Sequence, residues 1–262
     1  MTTTSTWTPT EAFKEDNALL REYGNSGGYE GPKFIWRDIN GQVIDRNKTL
    51  AAIKAGKMEK APRRYSIINQ GAVIQWAYSL AHRPQYSRPV VCLDTETTGI
   101  DMTAVAVQIG IVNLRGETIM KTLVCLDGSE MSEGAQKVHG LSTDRLNDAP
   151  MFPTIWETLR PILETSDLVA YNMAFDARIL AQTAHKYGLK MPTLRTHCLM
   201  QQYAMYHGEL ASAPSKSEMF VAPKLEAACE HFSIELIGAH DALTDARATR
   251  DVLVALARLY QE

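Results

Sequence analysis

Residues 90–93 (Val-Val-Cys-Leu) are an unbroken apolar run that stops at Asp94, and the chain repeats the device at residues 168–170 (Leu-Val-Ala), just ahead of Tyr171-Asn172 and Asp176. A short run without polar alternation reads as a strand covered on both faces, and such strands belong to sheets flanked by helices. Residues 105–114 (VAVQIGIVNL) and 117–126 (ETIMKTLVCL) are strand-like and separated by Arg115-Gly116, so the first three strands are expected to form a meander. Residues 152–163, 174–188, 199–208, 224–232 and 241–260 carry helical spacing. From residue 89 onward the expectation is an α/β domain on a mixed sheet.

Residues 1–88 lack that regularity. Residues 1–10 are polar and Thr-rich and read as disordered. Residues 11–23 have helical spacing, stopped by the Gly/Ser cluster at 24–28. Residues 33–47 read as a hairpin turning at Asn40-Gly41, a pair suited to the positive φ of a type I′ turn. Residues 49–58 suggest a short helix, residues 63–82 hold an apolar segment that fits either regular structure, and residues 84–89 read as a linker. The organisation is a small α+β N-terminal extension, 1–88, and a main domain, 89–262.

The composition, 45% hydrophobic and 22% charged, is enough to build a sizeable core. The net charge of −3 conceals an asymmetry. Residues 1–88 carry 13 Lys and Arg against 8 Asp and Glu, whereas residues 89–262 carry 14 against 22. An acidic domain is an odd partner for a polyanion unless its carboxylates hold metal, and the basic extension would supply the missing phosphate attraction. A solvated surface of mixed charge accounts for the N-terminal excess equally well. No apolar run approaches the roughly 18 residues of a membrane span. The first residues lack the basic start and apolar stretch of a signal peptide. Cys92, Cys125, Cys198 and Cys229 have no zinc-ligand spacing and read as reduced thiols. A cytoplasmic protein is expected.

Asp94 and Glu96, two apart on a strand, present their carboxylates on one face. Two anions side by side repel unless a cation lies between them, and hard oxygen donors favour Mg²⁺ or Mn²⁺. Taken alone, a strand ending in Asp-x-Glu is as readily a solvated strand end. Asp176 lies in the first turns of the helix after the second buried strand, where it would also complement the helix dipole. That does not account for a carboxylate at both strand ends. His240 lies just before the last helix and Asp245 in its early turns, an offset that places imidazole near carboxylate. An imidazole with its ordinary pKa of about 6.5 is suited to take a proton from water at neutral pH.

The segments DTETTG (94–99), YNMAFD (171–176) and HDALTD (240–245), in that order, resemble the three motifs of the DEDDh exonucleases of the DnaQ-like superfamily. That group includes the proofreading subunit of bacterial DNA polymerase III, ribonuclease T and the TREX nucleases. The resemblance covers residues 89–262 and extends to KVHGLS (137–142) and PKLEAACEHFSI (223–234). His240 marks the His-type enzyme, because Tyr-type relatives carry Tyr at the position of Asp241. Two positions depart from the pattern: Tyr171 stands where proofreading relatives often have His, and His197 where Asp is common. Neither is a metal ligand in the family, so they bear on substrate preference.

The resemblance implies a ribonuclease H-like fold, a mixed five-stranded sheet flanked by helices. It implies that Asp94, Glu96, Asp176 and Asp245 hold two Mg²⁺ or Mn²⁺ ions. Asp94 would bridge both, Glu96 and Asp245 would sit on the ion that carries the attacking water, and Asp176 nearer the second. His240 would take the proton from that water, releasing nucleoside 5′-monophosphates from a 3′ end. The substrate would be gripped around Thr97, Thr98, Gly99 and Ile100, with His139, Asn172 and Phe175 as further contacts. An aromatic at the start of a buried helix is as often core, so Phe175 has two readings. Single-stranded DNA, in repair or proofreading, is the favoured substrate; RNA trimming of the ribonuclease T type is the alternative. A non-catalytic nucleic-acid-binding module is a third reading, opposed by the presence of all four acids and the His. The chain ends soon after its last helix, without the long tail that tethers a proofreading subunit to its polymerase, which counts against that role. Several relatives are homodimers, and residues 1–88 would offer a surface to a protein partner.

Overall fold

The computed structural model describes strands at 20–24, 33–37 and 43–44 and residues 62–83, 88–209 and 220–260. Contacts divide the chain into two units, residues 1–72 with 205–221 and residues 73–204 with 222–262.

In the first unit, β1 (Leu20–Gly24), β2 (Lys33–Arg37) and β3 (Val43–Ile44) form an antiparallel sheet in that order. The strand β1 corrects the helix expected over 11–23. Its five residues pair with β2 from Leu20↔Arg37 to Gly24↔Lys33, and long-range pairing of backbone groups outweighs a short helical spacing. Residues 11–19 and the expected helix at 49–58 lie outside the described residues. The expected hairpin appears as the antiparallel pairing of β2 with β3, Trp36 with Ile44 and Arg37 with Val43; its expected Asn40-Gly41 turn lies outside the described residues.

The apolar segment that fitted either structure is helix α1 (Pro62–Ala81). The second unit holds β4 (Val90–Thr97), β5 (Ala106–Asn113), β6 (Thr118–Leu123), β7 (Asp167–Ala170) and β8 (Arg195–Cys198) in the order β6-β5-β4-β7-β8. The first three form the expected antiparallel meander; β4, β7 and β8 run parallel. The helices are α2 (Glu133–His139), α3 (Thr143–Asn147), α4 (Phe152–Thr165), α5 (Met173–Lys186), α6 (Leu199–His207), α7 (Leu225–His231) and α8 (Ala242–Arg258). Helices α4 to α8 fall where helical spacing placed them; α2, α3 and β8 were not read from spacing. The mixed five-stranded sheet flanked by helices is the ribonuclease H-like architecture.

Strand β4 is buried on both faces over most of its length, as its apolar run requires. Its odd-numbered side chains, Val91 and Leu93, join Ile109, Ile111 and Leu168 in one core closed by α4 and α5 through Phe152, Leu159 and Ile179. The even-numbered side chains face the opposite way. On that side α8 packs against β4 and β5 with Val252, Leu253 and Leu256 fully buried.

One glycine sets how closely α8 approaches. Gly110 on β5 is the register partner of Asp94, and a Cβ there would lie 2.4 Å from the carbonyl carbon and oxygen of Ala242 and from the Leu243 nitrogen. These are backbone atoms that cannot rotate aside, so the first turn of α8 rests directly on the strand. Gly110→Ala is therefore expected to lift that turn and to cost about 2 kcal/mol or more, in the upper part of the usual overpacking range or beyond it. Urea unfolding checks it; an unchanged midpoint would mean that the helix start does not bear on β5.

Candidate active site

Asp94, Glu96, Asp176, His240 and Asp245 line one cleft at the ends of β4 and β7. Within it one carboxylate oxygen each from Asp94, Glu96 and Asp245 lies within 4.8 Å of the others. The first two share the even face of β4, and Asp245 arrives from the first turn of α8, seated over Gly110.

Asp176 comes from the other side. It is 2% exposed on α5, the helix that packs on the odd face, and the Thr95 hydroxyl donates to its Oδ1 at 2.9 Å. The structure thus brings three of the four expected acids into one convergent group and sets the fourth beside it in the same cleft. Thr95, which lies between the two acids of the first motif and points away from them, was not read as a site residue.

Crowding so many carboxyls raises their affinity for protons. Burial, reinforced by the charges of Asp176, Asp245 and Glu96, pushes Asp94 well above the ordinary carboxylate range. Burial and the nearby Asp245 and Asp176 push Glu96 up to about 7. Burial pushes Asp176 to about 7 against the hydrogen bond from Thr95. Asp245 is also raised by burial, although the His240 amide donates to its Oδ2 at 3.1 Å. Its Oδ1 is buried with no hydrogen-bond partner among the described residues. An unsatisfied buried carboxylate oxygen facing two further acids fits a divalent cation, whose hard charge would satisfy the oxygen and displace the protons.

His240 has φ +66°, a left-handed conformation that few non-glycine residues adopt. A neighbouring side chain holds the segment there. Gln108, 3% exposed on β5 opposite Glu96, donates from Nε2 to Asp241 Oδ2 at 2.8 Å and accepts the Ala242 amide on Oε1 at 3.0 Å. Asp241 also caps α8 through the Thr244 amide and pairs with Lys121 at 3.2 Å. Partial burial pushes its carboxyl up, but the hydrogen bonds from Gln108, Lys121 and Thr244 outweigh that and hold it below its ordinary value. The residue at the Tyr-type position is thus engaged in structure, and the imidazole beside it lines the cleft. Sequence reading missed Gln108, because a single polar residue in an apolar strand carries no signal until the strand register places it.

Asn172 and Phe175 line the cleft, and Phe175 also packs against the core. Thr97, Thr98 and Gly99 are buried where β4 leaves the sheet. The Thr98 hydroxyl and amide bond the backbone of Val105, and its carbonyl accepts from Ser132, the cap of α2. Ile100 is 83% exposed beyond them. His139, the last residue of α2, accepts the Leu141 amide on Nδ1, which puts its ring proton on the buried Nε2. Burial pushes its pKa down. Leu225, Glu226 and Leu236 also line the cleft and were missed; helical spacing around 224–232 says nothing of which face meets a site.

The raised acids make a prediction about the metal-free protein. Glu96 and Asp176 hold protons in the fold up to about pH 7 that an unfolded chain releases near the ordinary 4.5 and 3.8. Between those limits the native state binds more protons, so stability falls as pH rises from about 4 to about 7. Thermal unfolding with chelator is expected to be higher at about pH 5 than at about pH 8, and Mn²⁺ to raise it more at the alkaline end. The reverse order in chelator would show that these carboxyls are not protonated in the fold.

The RNase_T exonuclease family profile matches residues 91–253. An uncharacterized exonuclease of Escherichia phage 186 is 31% identical over 175 residues, covering 64% of this chain and 88% of that protein. The DNA polymerase III subunit epsilon of Rickettsia typhi is 29% identical over 180 residues, covering 63% of this chain and 72% of the subunit. Among solved structures, exonuclease I superposes with a TM-score of 0.55 at 15% identity over 67% of this chain, which spans 42% of that enzyme. The nuclease domain of 3′hExo, a DEDDh family member bound to rAMP, superposes at 0.51 with 15% identity, 67% of this chain and 94% of that domain. At such identities these likenesses speak for the fold, and the sequence match carries the relationship. The chain belongs to the RNase T-type exonuclease family of DnaQ-like enzymes and is a 3′–5′ exonuclease.

Proposed function

We propose that the enzyme removes nucleoside 5′-monophosphates from the 3′ end of single-stranded DNA with the help of two Mg²⁺ or Mn²⁺ ions. The observation that carries this reading is the convergence of Asp94, Glu96 and Asp245 within 4.8 Å, with Asp176 and His240 in the same cleft. Asp94, Glu96 and Asp245 would hold one cation, with Asp94 and Asp176 toward a second. Bound there, divalent cations acidify a water and neutralise charge on the leaving 3′ oxygen. The residues of the chain do the rest. His240, held over the acids by its left-handed backbone and by Gln108, takes the proton of the attacking water. Thr97 to Ile100, His139, Asn172 and Phe175 hold the strand end beside it.

The kinship with epsilon subunits supports DNA as the substrate, in repair or proofreading. Residues 1–88 we assign to steering nucleic acid or to a protein partner, their basic excess supporting the former. A cytoplasmic location and a homodimer belong to the same reading. Among the described residues no helix is long and apolar enough to cross a membrane.

End-labelled DNA and RNA of one sequence, single- and double-stranded, with Mg²⁺ and then Mn²⁺, test the assignment. Faster loss of RNA would replace DNA degradation with RNA trimming. Asp94→Ala is expected to abolish activity and leave the fold intact, since it removes both a ligand and a source of repulsion; wild-type turnover in Mg²⁺ would refute the metal assignment. His240→Ala is expected to lower turnover by about 10²–10⁴. If only metal affinity fell, with turnover otherwise retained, His240 would not be the base.

A further inference from the structure

One side of the cleft is made by a helix too short to hold it unaided. Leu225 and Glu226 line the cleft from the first turn of α7. That helix has seven residues, and its buried side chains, Ala228 and Cys229, come fourth and fifth. Lys224 at its N-cap makes no side-chain capping bond, so nothing local stops the first turn from fraying. Leu225 is half-buried and Glu226 exposed, which puts both lining residues on the least anchored part of the helix. Tyr171 supplies the missing hold. Its hydroxyl donates to the Pro223 carbonyl at 2.7 Å, across 52 residues of chain and two positions before Leu225. The post is itself rigid: Tyr171 is 7% exposed at the end of β7, and its carbonyl accepts the Met200 amide at 2.8 Å from the start of α6. Tyr171 also lines the cleft, but a phenol has one proton to give and this one is spent on Pro223.

We propose that Tyr171 is a positioning residue whose bond to Pro223 fixes the first turn of α7, so that Leu225 and Glu226 form a rigid side of the cleft against which the strand end docks. The inference rests on the exonuclease reading of the cleft and not on the choice between DNA and RNA. Tyr171, Leu225 and Glu226 are neither the four acids nor the base, so the tie acts on binding of the strand rather than on bond breaking. A wall ordered in advance spares the ordering cost that a mobile one incurs when the strand docks. Without the hydroxyl, the first turn spends part of its time away from the docking position, and apparent affinity falls by that fraction.

Initial rates in Mg²⁺ on single-stranded DNA and RNA of one sequence give kcat and KM for Tyr171→Phe, Leu225→Ala and the double variant. Loss of one hydrogen bond is expected to raise the KM of Tyr171→Phe about fivefold on whichever strand the wild type degrades, with kcat kept within about twofold. Leu225→Ala leaves the tie itself in place and should raise KM by a similar factor, and the double variant should do no worse than the larger single effect. Amide hydrogen exchange in α7 should quicken about fivefold in Tyr171→Phe, with α8 unchanged. A fall in kcat at constant KM would make the hydroxyl part of the chemistry, and additive losses would make it a strand contact in its own right; either overturns the inference. Faster exchange in α7 with KM unmoved would overturn it too, because the tie would then serve the fold alone. A wild-type protein inactive on both strands would overturn the exonuclease reading along with the inference. An active wild type whose KM ignores Tyr171→Phe would sink the inference by itself.

Discussion

Backbone meets backbone where the first turn of α8 rests on β5, and the cleft exists because nothing stands between them. Gly110 is paired with Asp94, and the atoms a side chain there would strike belong to Ala242 and Leu243. The helix starting at that point carries Asp245 in its first turn and His240 just before it. With the helix this close, Asp245 reaches within 4.8 Å of Asp94 and Glu96. A methyl group of separation would act on the position of one ligand and the proposed base at once. Gln108, next to Gly110 on the same face of the strand, finishes the work by fixing Asp241 and Ala242 on either side of the turn.

The same closeness makes the cleft unfavourable without its cations. Buried carboxylates repel, and the fold meets that cost by keeping protons on Glu96 and Asp176 up to about pH 7. The fold therefore stores a demand for positive charge at one place, and metal binding and deprotonation become a single coupled event. Asp176 is held somewhat apart. It approaches from the opposite face of the sheet and gives one oxygen to the Thr95 hydroxyl. Two layers of the fold thus contribute acids to one cleft at the ends of the parallel strands, where side chains from both faces can meet.

Much of the main domain was legible because burial leaves a strong mark on composition. The apolar runs ahead of Asp94 and Tyr171 appeared as β4 and β7, and the long amphipathic stretches as α4, α5 and α8. Strand β8 was not legible: Arg195-Thr196-His197-Cys198 is a short, mostly polar edge strand, recognisable only by its pairing with β7. Residues 20–23 read as the end of a helix and are strand because β2 lies alongside. The hairpin was visible from its two β-rich runs, which pair as β2 and β3. The candidate acids were legible as three ordered motifs. Thr95, Gln108, Glu226 and the tie from Tyr171 to Pro223 were not, since each depends on a neighbour far away in the chain.

The sequence by itself determined the class of the sheet and the identity of the acids and the imidazole, because burial periodicity and residue chemistry are local properties. It also determined, through the order and spacing of three motifs, the family to which the chain belongs. Only the tertiary structure decided which acids converge and which stands apart, why His240 rather than Asp241 faces the cleft, and how closely α8 approaches β5. Those are matters of a few ångströms between segments from about seventy to more than a hundred residues apart. They follow from which side chain is missing at Gly110 and which is present at Gln108 once the strands are paired.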